Sequence, residues 1–174
     1  MTERERLVLE PIADDPEVGR WLSALEDCRR DTLKELEGLD DEAVDVRHPS
    51  ADNSLGSLLY HVALIEADWL LVDIFGATSS TAEEEALLPF TDRDDRGELT
   101  HVEGETLAQH LDRLAQVRGI LLERLRPMPA EDFHTARARE DYDVSPAWVL
   151  HHLLQHEAEH RSEIVRLKSR LSLA

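Results

Sequence analysis

The chain has 174 residues and a formal net charge of −19 at neutral pH, with 38 acidic side chains against 19 basic ones. That length suits one domain, residues 1–174, able to bury a core without staples, and that charge works against a nucleic-acid partner, whose phosphates attract Lys and Arg. The one cysteine, Cys28, excludes an intrachain disulfide and a multi-cysteine zinc module, and it fits a reducing compartment.

The opening stretch M-T-E-R-E-R-L-V-L-E alternates charges and lacks the apolar run of a secretory signal. The longest apolar stretch, His61 to Phe75, is interrupted by Glu66, Asp68 and Asp73, so it fails the roughly 20-residue criterion for a membrane span. A cytoplasmic protein without a membrane segment is expected. The acidic and basic residues alternate along the chain, which describes a well-solvated surface and says little about substrate.

Periodicity predicts four amphipathic helices and no alternating strand. The first runs from about Pro16 to Leu36, with Val18, Trp21, Leu25, Cys28, Thr32 and Leu36 at three-and-four spacing and Gly38 as its stop. Cys28 lies on that stripe, where a small buried hydrophobe is expected and not a nucleophile. The second helix begins at Ser54 as N-cap and continues to Phe75, stopped by Gly76. Its stripe is Leu58, His61, Ile65, Asp68 or Trp69, Val72 and Phe75.

The third helix starts at Thr106, where Thr106 and Gln109 form a capping-box pattern. It carries Leu107, Leu111, Leu114, Leu121 and Leu125 until Pro127, so only ordinary core residues are expected from it. The fourth starts with Ser145 as N-cap and Pro146 at the first helical position, then shows Val149, Leu153, His156, His160, Ile164, Leu167 and Leu171. Four apolar stripes must be buried against one another, which predicts an all-α four-helix bundle. The connection from Ala77 to Glu105 is long enough to cross the bundle and let the second and third helices run parallel. Leu87, Leu88, Pro89 and Phe90 within it are expected to pack over one end as a lid or ledge.

Within the fourth helix, Q-H-E-A-E-H-R (Gln155 to Arg161) contains the zinc-peptidase pattern H-E-x-x-H. The extended pattern then fails. Glu163 stands where Gly is needed and Arg166 where His is needed, and no peptidase sheet is predicted. Glu157 is therefore expected to be a solvated residue beside the helical seam and not a general base.

The histidines of that motif still carry chemistry. Four residues place His156 and His160 about 40° apart around the helix and about 6 Å apart along it, close enough to share one ion. His61 occupies the corresponding stripe of another helix. One histidine on an apolar face is commonly a hydrogen-bonded core residue, but three imidazoles buried without acceptors would cost free energy that a divalent metal removes. His152, one turn before His156, can flank the pocket. His151 points away, and His48, His101, His110 and His134, in loops or on polar faces, are expected to be exposed.

The second helix, H-V-A-L-I-E-A-D-W-L, and the fourth, W-V-L-H-H-L-L-Q-H-E-A-E-H-R, resemble the DinB-like four-helix-bundle metalloproteins. These include the bacillithiol transferases, the mycothiol-dependent transferases and maleylpyruvate isomerase. The resemblance spans nearly the whole chain and implies helices running up-down-down-up, with His61, His156 and His160 as ligands of a zinc or nickel ion. It also implies a homodimer and a low-molecular-weight thiol such as mycothiol or bacillithiol. The chain departs from the commonest family ending, H-R-G-Q, in having Ser162 and Glu163 after Arg161.

Three neutral histidines leave a coordination position open, as catalytic sites do. A bound thiol would be held as thiolate, ready to attack a small electrophile, which makes a metal-dependent thiol S-transferase or isomerase the expected function. Glu66, five residues after His61, is a candidate either for catalysis near the metal or for an interhelical contact. A metal-dependent hydrolase using the same histidines, and a non-catalytic metal-binding bundle, are the alternatives.

Overall fold

A computed structural model describes residues 7–47 and 53–171. Its long helices are α1 (Pro16–Leu36), α3 (Leu55–Asp68), α5 (Leu107–Leu125) and α7 (Pro146–Leu171), and its short ones are α2 (Asp41–Val44), α4 (Ala82–Leu87) and α6 (Ala130–His134). The starts are set by side chains that satisfy the first free N–H groups. Asp15 accepts from Glu17 and Val18, Ser54 from Ser57, and Ser145 from Trp148, while Thr106 and Gln109 form the complete capping box. Gly38 and Gly76, at positive φ, follow the ends of α1 and of the second long helix.

The core divides into two apolar clusters, and their membership fixes the topology. One joins Val18, Leu22 and Leu25 at the start of α1 to Leu70 and Ile74 beyond α3. Leu121 and Leu125 at the end of α5 and Val149 and Leu153 at the start of α7 belong to it as well. The other joins Leu36 at the end of α1 to Leu55 and Leu58 at the start of α3, with Leu114 in α5 and Ile164 and Leu167 late in α7. Only helices running up-down-down-up bring those ends together, so α3 and α5 are parallel and the bundle is all-α.

The second long helix departs from its expected stripe. After Asp68 it continues as a π-helix over Trp69–Ile74, whose wider turn puts Leu70 and Ile74 into the core and leaves Val72 and Phe75 41% and 42% exposed. Leu55–Ile74 is, among the described residues, the one helix long and apolar enough by composition to cross a membrane. It is 67% buried inside the bundle, so its apolar residues serve the core.

The 77–105 connection lies along the side of α3 and α5, not over one end. Leu87 and Leu88 pack on the second cluster, and the Phe90 backbone exchanges hydrogen bonds with the Tyr60 hydroxyl near the start of α3. Arg113 of α5 pins it further, its Nε donating to the Leu87 carbonyl at 2.8 Å and its guanidinium covering the Tyr60 ring. The connection between α6 and α7 holds a two-residue antiparallel pair, β1 (Arg137–Ala138) with β2 (Asp143–Val144), too short for sequence alternation to reveal.

Candidate metal centre

His61 reaches the interior from α3, His156 and His160 from α7, and the three rings converge. Ring centroids are 4.9 Å (His61–His156), 4.8 Å (His61–His160) and 4.5 Å (His156–His160) apart, with one donor nitrogen of each within 4.8 Å of the others. The Nε2 atoms of His61 and His156 face each other at 3.0 Å.

The electrostatics favour neutral rings. Burial pushes His156 down to about 3, with His160, His61 and His152 adding to the effect. Burial likewise lowers His61, against the pull of Asp92, and lowers His160, against Glu163 and Glu159. Neutral imidazole is the form that coordinates a metal.

Sequence periodicity missed Asp92, whose Oδ1 lies 2.6 Å from His61 Nδ1. A carboxylate only accepts, so Nδ1 carries the proton and Nε2 turns its lone pair toward His156. This carboxylate–histidine pairing is the arrangement that orients metal-bound imidazoles. Asp92 sits in an irregular connection with no local pattern to flag it, and it reaches the ring because Tyr60 holds Phe90 two residues earlier. His160 Nδ1 is buried without a hydrogen bond, Glu163 Oε1 lying 3.4 Å away outside bonding geometry. A His61 lone pair aimed into the cluster, a buried His160 nitrogen without a hydrogen bond and neutral rings fit three ligands to one divalent ion.

Around the triad, His152 is half-buried and stacks on Trp148 at 5.2 Å and 8°, with Trp69 4.8 Å from its ring. These rings form a wall continuous with His156, whose ring lies 6.0 Å from His152. His151 and His134 are exposed, while His48 lies outside the described residues. His110 departs from expectation. It is 1% exposed, its Nδ1 accepts from Arg113, and its Nε2 makes no hydrogen bond, with Glu105 Oε2 3.5 Å away.

The carboxylates beside the triad have a different role from the one the H-E-x-x-H pattern suggests. Glu157 is not solvated but 2% exposed, accepting from Arg29 Nε at 2.7 Å and from Arg118 at 3.1 Å. Glu66 receives Arg29 at 2.8 Å and Arg118 at 2.7 and 2.9 Å, an interhelical arrangement that occupies both its oxygens. Each long helix thus contributes one charge to a buried layer between the two apolar clusters. Arg118 also corrects the expectation of an ordinary α5: it crosses to the Leu25 carbonyl and to Glu26. Cys28 is buried as expected, its Sγ donating to the Leu154 carbonyl at 3.7 Å, and burial and Glu157 raise its thiol pKa.

The sequence profile of the DinB superfamily matches residues 24–164, a stretch that runs from within α1 to within α7 and includes all three converging histidines. No curated protein matches the chain.

Proposed function

The chain belongs to the DinB superfamily, and on that premise we propose that His61, His156 and His160 hold a zinc or nickel ion in a thiol-dependent S-transferase or isomerase of small electrophiles. The observation that carries this reading is the convergence of three neutral rings, with His61 turned by Asp92 so that its free lone pair faces the site. A bound ion would supply Lewis acidity and hold a low-molecular-weight thiol, such as mycothiol or bacillithiol, as its thiolate.

The rest of the site is consistent with that role. With Glu66 and Glu157 engaged by Arg29 and Arg118, neither carboxylate is free to activate a water, which favours thiol chemistry over hydrolysis. The Trp69, Trp148 and His152 rings offer an apolar flank beside the metal position for a small-molecule substrate. The same reading takes the chain as a cytoplasmic homodimer, with exposed Leu7, Val8, Leu9 and Ile12 as apolar surface available to a second copy. The net charge of −19 speaks against nucleic acid as partner.

Elemental analysis of protein purified without added metal tests the first half: one zinc or nickel per chain is expected, and no metal retained even after nickel or zinc addition overturns it. Thiol consumption with a small electrophile tests the second half. Turnover of esters or amides with no thiol present would establish the hydrolase instead. Metal-dependent melting without any turnover would establish a non-catalytic bundle.

A further inference from the structure

A second site lies along the same helix as His61. The outer flank of α3 and its π-helical extension face the connection after Ala77 across a cavity of about 400 Å³, a volume in the range of small-ligand pockets. Its floor is apolar, made by Leu64, Ala67, Leu71 and Leu88, and its rim carries the carboxylates of Asp68 and Glu84. No Lys, Arg or His lines it.

The local backbone opens this space. The π-helix starts at the residue after Asp68, and its wide turn keeps Leu70 and Ile74 in the core while leaving Leu71 and Val72 on the cavity side. Such single π-turns within α-helices recur at functional positions, because regular α-helical winding would be more stable. The facing wall is held by its own cap: Glu84 accepts from the Thr81 N–H and Thr81 from the Glu84 N–H, so the Glu84 carboxylate is fixed at the rim.

Charge then selects the ligand. The backbone position of Asp68 is at the surface, but partial desolvation of its carboxyl, and after it the carboxylates of Asp73 and Asp92, raise its pKa. Asp73 has the Tyr142 hydroxyl and Arg139, and Asp92 has His61 and Arg93, whereas Asp68 makes no ion pair among the described residues. An apolar floor beneath an uncompensated acidic rim is complementary to an amphipathic cation.

We propose that this cavity binds a small organic ammonium ion, its alkyl body on Leu64, Ala67, Leu71 and Leu88 and its charged head at Asp68 and Glu84. The site needs no metal, so its test runs on chelator-treated protein and is untouched by failure of the metal reading. Calorimetric titration with hexylammonium, hexanol and hexanoate compares one alkyl body with three heads. Hexylammonium should bind about tenfold more tightly than hexanol, the increment of one charge-assisted hydrogen bond, and hexanoate more weakly than either.

Asp68→Asn should reduce the preference for ammonium over alcohol while leaving hexanol binding in place. Thr78→Trp, at an exposed position of the lining, should block all three. Equal binding of hexanol and hexylammonium by the unaltered protein would overturn the proposal. So would an undiminished ammonium preference in Asp68→Asn, or unchanged binding in Thr78→Trp.

Discussion

Two polar groups of side chains interrupt the apolar core of this bundle, and they are solved in opposite ways. In the charged layer, two guanidiniums and two carboxylates meet with every charge answered: Arg29 and Arg118 each bond to both Glu66 and Glu157, and spare donors go to the Leu114 and Leu25 carbonyls. In the histidine cluster, whose His156 and His160 flank Glu157 along α7, the bonding is incomplete: the Nε2 atoms of His61 and His156 face each other at 3.0 Å and His160 Nδ1 has no hydrogen bond. A buried network that is complete holds helices in register. A buried cluster left incomplete retains binding capacity for something the chain itself does not supply.

The sharpest way to break this contrast is to remove one member of the complete layer. Arg118→Leu leaves Glu66 and Glu157 with Arg29 alone, and losing one partner of a buried ion pair costs about 3–5 kcal/mol. Urea denaturation should show that loss in a metal-free preparation, with the melting temperature falling correspondingly. Burial opposes ionisation of Glu66, yet Arg118 and Arg29 together hold its pKa below the ordinary value. The stability it contributes is therefore present above about pH 4.5 and lost on further acidification. A loss under 1 kcal/mol would mean that water replaces the guanidinium and that the layer is not closed.

His156→Ala should behave in the reverse manner. It removes a poorly satisfied ring, so metal-free stability changes little, but the stabilisation gained on adding zinc, about 2.7 kcal/mol at a hundred times the dissociation constant, disappears. The pH dependence separates the two regions further. With its folded pKa pushed down to about 3, His156 is neutral in both folded and unfolded chains above about pH 6.5. Below that the unfolded chain takes up the proton first, and stability is lost as pH falls toward 3. His110 and His152, lowered mainly by burial, share the window. Between about pH 6.5 and 4.5 the metal-free protein should lose stability chiefly through its histidines, and His156→Ala should flatten that slope in part.

Asp92→Asn tests whether the cluster is organised from outside. The amide keeps the size of the side chain but loses the charge that fixes His61 Nδ1 as donor, and such changes weaken metal affinity by about 10–100-fold. Competition with a chromogenic chelator would measure it. Unfolding free energy without metal should move by less than about 1 kcal/mol, because Asp92 is a half-buried loop residue whose carboxylate meets only His61 in the interior and Arg93 at the surface.

The two regions also differ in how far the sequence discloses them. The histidines stand out because imidazole is rare on an apolar stripe and the four-residue spacing marks one helix face. The charged layer was equally regular: Arg29 falls in the series Val18, Leu22, Leu25, Thr32, Leu36, and Arg118 between Leu114 and Leu121. Assigning charge to the surface by default hid it, and Glu157 was misplaced for the same reason. The four long helices and their caps were legible because each signal is local. Asp92 was not, since it depends on Arg113 and Tyr60 pinning a distant connection, and neither was the π-turn, which nothing in the composition of Trp69–Ile74 announces.

Cys28 gives the smallest and cleanest discrimination. Its thiol lies beside the charged layer and bonds to neither region: Sγ donates to the Leu154 carbonyl, Arg161 donates to the Cys28 carbonyl at 3.2 Å and lies 3.8 Å from the sulfur, and burial, with the charge of Glu157, raises its pKa. A protonated, buried thiol is a packing group and not a nucleophile. Cys28→Ala should therefore cost about 1 kcal/mol, from the lost contact with the Leu154 carbonyl and a small void, while metal affinity and thiol-transfer rate stay unchanged. If activity instead fell with Cys28 and stability did not, the charged layer would belong to the reaction and the separation of the two regions would fail.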